Sequence, residues 1–276
     1  MFLKLMYITN SLSIALIAEK YRVDRIWVDL ETKDKEERQR GKDTVKSRHT
    51  IEDIRKISPV LTTSKLLVRI NHWNANSENE IDAVIDAGAD LIMLPYWKTA
   101  EEVKNFIRAV AGRCKTVLLL ETKEAAGCLD EVLELSGIDE IHIGLNDLHL
   151  SYGFDFLFQP LVNGMVEQIC KKIAKKNIPY GFGGIARIGC GDVPAEMIIM
   201  EHYRLGSTRA ILSRAFCDTS KVKDITETEK IFRENMSKLH EYENYVQKAS
   251  LEEFEENRAR IKEAVNKVVG RLKSVS

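Results

Sequence analysis

Eight short runs of apolar and β-branched residues recur along the chain, at 3–9, 25–30, 65–70, 91–96, 116–121, 140–145, 179–184 and 209–213. Most are continuous rather than alternating, the pattern of parallel strands covered on both faces. Between them, the stretches 13–21, 78–87, 100–111, 125–135, 161–176 and 195–203 carry helical periodicity. Gly88, Gly112, Gly137 and Gly206 stand where a helix would end in a left-handed residue. Ser13, Ser77 and Thr99 read as helix starts, Thr99 with Glu102 as a capping box. The steady alternation of strand and helix predicts an α/β fold, a closed (β/α)8 TIM barrel rather than an open doubly wound sheet.

Two stretches break the rhythm. Residues 31–49 (ETKDKEERQRGKDTVKSRH) are densely charged and longer than the usual loop after a barrel strand. They read either as a solvated loop or as an ordered lid over a substrate. From Lys221 onward there is no strand, and Ile231, Met236, Leu239 and Tyr242 repeat with helical period. The expected division is a barrel over 1–220 and C-terminal helices over 221–276, a closing helix plus an arm. The arm either packs on a neighbouring subunit, making the protein a homo-oligomer, or folds back on its own barrel.

A single barrel commonly fills 276 residues, and 44% hydrophobic with 30% charged residues is ordinary for a globular chain. The 41 basic and 42 acidic residues nearly cancel, which removes the electrostatic footprint of a protein built for nucleic acid or an anionic membrane surface. A small-molecule partner is expected instead. Cys114, Cys128, Cys170, Cys190 and Cys217 are scattered and never spaced as CxxC, so neither disulfides nor a zinc site is indicated and a reducing cytoplasm fits. The first twenty residues are interrupted by Lys4, Asn10, Ser11, Ser13 and Glu19, and no later run has the roughly 18 unbroken apolar residues of a membrane span.

Barrel chemistry gathers at the C-terminal ends of strands. The ionisable residues there are Asp29 and Glu31 after the second run, Arg69 after the third, Glu121 after the fifth and Asp147 after the sixth. Two carboxylates from adjacent strands suit Mg²⁺ or Mn²⁺. Spacing alone leaves another reading open, with Glu121 in a salt bridge and Asp147 capping a helix. Arg69 is either a clamp for a substrate carboxylate or a structural ion-pair partner. The glycine-rich stretch 181–191 (GFGGIARIGCG) reads as a phosphate or carboxylate cradle or simply as close backbone packing, and Cys190 within it as inert.

Several segments resemble the HpcH/HpaI aldolase and citrate lyase β-subunit family over residues 5–217. They are ITNSLSIALIAEKYRVDRIWVDLE, with its Asp-x-Glu terminus, LLVRIN, AVIDAGADLIMLPYWKTAEEV, LLLETKEA and IHIGLNDLHLSYG. The resemblance implies a metal-dependent carbon–carbon lyase or aldolase that works through a pyruvate-type enolate on a small 2-oxo acid or related carboxylate. Glu121 and Asp147 would hold the metal, Mg²⁺ or Mn²⁺, and Arg69 would bind substrate; Asn146 and Gly184 are further candidate substrate contacts read from the sequence itself. Glu31 and Asp29 would support the metal region through ordered waters or through contacts to the groups around it. The family's aldolase branch has a proton-transferring histidine directly after Asp-x-Glu, where this chain has Thr32; His49 and His72 are the candidates to fill that gap, unless they are surface residues. The sequence also departs from the family at Gly144-Leu145-Asn146, where Gly-Pro-x is frequent. Two other readings therefore stay open, an acyl-CoA thioester lyase or hydrolase and a non-catalytic ligand-binding relative.

Overall fold

The computed structural model describes residues 1–32, 49–222 and 224–275. Eight strands close into a parallel barrel in chain order: β1 (Lys4–Ile8), β2 (Arg25–Asp29), β3 (Lys65–Arg69), β4 (Leu91–Leu94), β5 (Lys115–Leu120), β6 (Glu140–Ile143), β7 (Tyr180–Ile185) and β8 (Arg209–Leu212). All eight apolar runs contain or overlap a strand. The reason is visible in β4, where every residue is apolar and buried and a polar position would lack water on either face.

Helices alternate with the strands: α1 (Leu12–Lys20), α2 (Ile51–Ile57), α3 (Ser77–Asp86), α4 (Ala100–Val110), α5 (Lys123–Gly127), α6 (Leu129–Val132), α7 (Leu145–Ser151), α8 (Gln159–Val162), α9 (Met165–Ala174) and α10 (Ala195–Arg204). The capping box at Thr99 and Glu102 forms as expected. The helix start expected at Ser13 lies two residues earlier, because the hydroxyl of Ser11 accepts from the N–H of Ile14. Ser77 does not cap α3; its Oγ accepts from the N–H of Asn74 at 2.9 Å. The helix expected over 125–135 is two short ones, and the one over 161–176 is broken at Gly164, whose φ of +91° leaves the helical region.

The described residues form two compact units, one of 6–120 and 124–141, the other of 1–5, 121–123 and 142–276. The first carries β2 to β5 with Ile26, Trp27, Val28, Leu66, Leu67 and Val68 fully or almost fully buried. The second carries β7, β8 and the two long helices α11 (Ile225–Val246) and α12 (Leu251–Val275). Phe232, Met236 and Leu239 of α11 and Ile261, Val265 and Val268 of α12 are buried within the chain, and α12 lies against α10 and α8. Asn257 fixes that packing, its Nδ2 donating to the carbonyl of Met197 at 3.1 Å and to Oε1 of Glu201 at 3.3 Å. The arm thus folds back on its own chain, since its apolar stripe finds cover there. Among the described residues no helix is long and apolar enough to cross a membrane. Of the charged segment 31–49, residues 33–48, on which the lid reading falls, lie outside the described residues.

Candidate active site

Asp29 closes β2 and Arg69 closes β3, and the register of this parallel pair sets them side by side. Nε and Nη2 of Arg69 donate to Oδ1 and Oδ2 of Asp29, both at 2.8 Å, the two-pronged geometry that matches a guanidinium to a carboxylate. Nη1 of Arg69 lies 3.2 Å from Oε2 of Glu31. Trp27, two residues before Asp29 and therefore on the same face of β2, places its ring 5.2 Å from the guanidinium carbon. All three charged side chains are largely buried. Two carboxylates out of water require a cation, and Arg69 is the one the register supplies. Asp29 and Glu31 both ion-pair directly with Arg69. Arg69 is accordingly a structural partner in this arrangement, whatever else it binds.

His49 joins this group from twenty residues away. The N–H of Asp29 donates to its Nδ1 at 2.9 Å, and the ring is half-buried rather than on the open surface. Thr32 is held elsewhere, its N–H donating to Oδ1 of Asn71 at 3.0 Å while Nδ2 of Asn71 donates to Glu80 at 2.8 Å. His72 is half-buried beside Asn74, which donates to its carbonyl at 2.7 Å.

In the other unit, Glu121 follows β5 and is 2% exposed. Asp147 sits in the first turn of α7, whose N-cap is Gly144 with no side-chain cap bond. The helix-capping reading of Asp147 is therefore set aside. Its half-buried carboxylate makes no hydrogen bond or ion pair among the described residues. The segment after Glu121 is tied to the end of α7, since the N–H of Lys123 donates to Oγ of Ser151 at 2.8 Å. Oxygen donors of this kind suit a hard divalent cation. Among the described residues no cluster of three or more His, Cys, Asp or Glu side chains could hold a metal alone, so a cation on Glu121 and Asp147 would complete its shell with water and substrate oxygens.

Asn146, next to Asp147, is exposed. Gly184 lies on β7, where a side chain would crowd Cβ of Ser213 at 3.1 Å, and one at Gly181 would collide with the carbonyl of Arg209. Close packing thus accounts for these glycines. The turn beyond them uses its own donors: the N–H of Gly189 goes to Oε1 of Glu196 at 2.9 Å and that of Cys190 to the carbonyl of Arg187 at 2.9 Å. That internal bonding speaks against the phosphate cradle. Burial pushes the thiols of Cys114 and Cys170 up to about 11 and about 12, which removes both as nucleophiles.

Residues 5–156, more than half the chain, match the model of the HpcH/HpaI aldolase/citrate lyase family. The chain belongs to this family. The match contains Asp29, Glu31, His49, Arg69, Glu121 and Asp147 and stops short of Gly184. A hydroxypyruvate/pyruvate aldolase of Sagittula stellata is 25% identical over 136 residues, 38% of this chain and 54% of the relative. A 2-keto-3-deoxy-L-rhamnonate aldolase of Escherichia coli K12 is 26% identical over 137 residues, 38% of this chain and 51% of the relative. The chain thus spans about half the length of the curated relatives it matches. The crystal structure of an HpcH/HpaI aldolase from Desulfitobacterium hafniense shares the fold, with a TM-score of 0.63 at 16% identity, covering 83% of this chain and 93% of that one. Sequence reasoning missed two members of the strand-end group. Trp27 could have been found from its two-residue spacing to Asp29; Asn71 carried no such signal.

Proposed function

We propose that this chain is a carbon–carbon lyase or aldolase that forms or consumes a pyruvate-type enolate from a small 2-oxo acid, with a divalent cation, Mg²⁺ or Mn²⁺, held by Glu121 and Asp147. The observation that carries the reading is Asp147: a half-buried carboxylate without a partner among the described residues, inside the family-matched stretch and in the first turn of the helix that follows β6. When bound, such a cation supplies Lewis-acid stabilisation of the charge developing on the 2-oxo oxygen. Arg69 contributes a fixed positive charge toward the substrate carboxylate. Asp29 orients Arg69 through the two 2.8 Å bonds, and the longer contact to Glu31 is the one a substrate carboxylate would replace. Aldolase names among the relatives support the reaction class.

The deciding experiment is thermal unfolding of chelator-stripped protein with and without Mg²⁺, Mn²⁺ and oxalate, an enolate mimic. A ligand that binds only the folded state raises the midpoint. A metal-dependent rise enlarged by oxalate supports the proposal; no rise with any metal ends it.

A further inference from the structure

We infer that Leu145 and Gly183 are positioning residues for Asp147: the leucine side chain, seated against a glycine that has no Cβ, fixes the first turn of α7 that carries this carboxylate. Their role rests on the metal-site reading above, whereas their contact is a matter of geometry. Leu145 is the first residue of α7, two before Asp147, and is 1% exposed. A Cβ on Gly183 would stand 2.8 Å from Cδ1 of Leu145, well inside the separation of about 3.5 Å at which carbon atoms pack. The same atom would lie 3.9 Å from Cε1 of Phe158, an ordinary contact, so it is the leucine that occupies the notch.

The path of β7 makes this notch. Between Gly181 and Gly184 the strand advances three residues while β8 advances two, from Arg209 to Ile211, so one extra residue bulges out of the ladder. Gly183 lies in that bulge with a φ of +52°, a left-handed conformation that is costly for a residue with a Cβ. Its neighbours are pinned: the ring of Phe182 is stacked 3.9 Å from His202, and Gly184 lies close against Ser213. An atom added at Gly183 therefore has to move Leu145 rather than the strand. The turn has no anchor of its own at this end, since the N-cap Gly144 makes no side-chain bond and leaves its placement to packing. The N–H of Leu148 donates to the carbonyl of Gly144 at 3.0 Å and keeps the turn whole, so a displaced Leu145 carries Asp147 with it. Leu145, where the sequence departs from Gly-Pro-x, thus meets a glycine that makes room for its side chain.

Mn²⁺ affinity of the chelator-stripped full chain, measured by calorimetry below every unfolding midpoint, tests this assignment. Gly183→Ala, which forces Leu145 out, should weaken Mn²⁺ binding about 10- to 100-fold, the usual loss when a group that orients a ligand is disturbed. Leu145→Ala, which empties the notch, should weaken it at least about tenfold. Leu145→Met, unbranched and able to fill the same room, should stay within about threefold of wild type. The double variant Gly183→Ala/Leu145→Ala should bind no worse than Leu145→Ala, because the added methyl then has nothing to displace. Single variants that lower the unfolding midpoint yet bind Mn²⁺ like wild type, or losses that multiply in the double variant, overturn the inference and leave the proposed function standing. Should Gly183→Ala fail to fold, Leu145→Ala decides, and wild-type affinity there overturns the inference equally. A wild type that binds no Mn²⁺, or an Asp147→Asn chain that binds it as well as wild type, overturns both.

Discussion

Arg25 and Glu140, 115 residues apart, meet through two parallel hydrogen bonds of 2.5 Å, Nη1 to Oε2 and Nη2 to Oε1. Arg25 opens β2 and Glu140 opens β6, and they are 5% and 3% exposed. Strand β2 thus carries an ion pair at each end, Arg25 with Glu140 where it begins and Asp29 with Arg69 where it finishes. Breaking the first by Glu140→Ala leaves a buried guanidinium uncompensated. We expect a loss of about 3–5 kcal/mol in denaturant unfolding, and recovery of most of it when Arg25→Met is combined with Glu140→Leu. Equal stability of Glu140→Ala and wild type would contradict this account.

His202 predicts acid sensitivity. It is fully buried, stacked 3.9 Å from Phe182 at 3°, and its Nδ1 lies 2.6 Å from Oγ of Ser207. Burial first, and the neighbouring His142 second, bring its protonation down to about 3. The unfolded chain protonates this ring near 6.5, so between those values the unfolded state holds more protons and stability must fall as pH is lowered. The contribution is bounded at about 1.4 kcal/mol per pH unit. Urea midpoints measured from pH 7 to 4 should fall less steeply for His202→Phe than for wild type; parallel profiles would show that the ring is not the cause.

Replacing a ligand separates metal binding from folding. Asp147→Asn alters a carboxylate with no partner among the described residues and should leave the metal-free unfolding midpoint within about 1 °C while abolishing the rise produced by Mn²⁺ with oxalate. Glu121→Gln should abolish the same rise. A retained rise in both variants would place the cation elsewhere.

Arg69→Lys keeps the charge but loses the fork. A lysine cannot satisfy both oxygens of Asp29 in the same plane and reach Glu31 as well, so about 1–3 kcal/mol of stability should be lost. Oxalate affinity, measured by calorimetry in the presence of Mn²⁺, should drop more than tenfold. Unchanged affinity would remove Arg69 from the carboxylate-binding role.

The barrel was legible in the sequence because a parallel strand covered on both faces is apolar along most of its length, and all eight such runs mark strands. The interruptions within 125–135 and 161–176 were not legible, since apolar spacing continues across a short break such as the one at Gly164. Asp29, Glu31, Arg69, Glu121 and Asp147 were marked out by strand ends and by the family motifs. Their partners were not. Asp29 faces Arg69 because the register sets the last residue of β2 beside the last of β3, and register depends on how two strands distant in sequence pack, not on either strand's composition. His49 meets Asp29 from twenty residues further along the sequence, a pairing that neither residue's neighbours signal. What the sequence determined was the order of elements and the charged groups at their ends; what tertiary structure decided was pairing, because hydrogen bonds and ion pairs act over a few ångströms in space, whatever the separation along the chain.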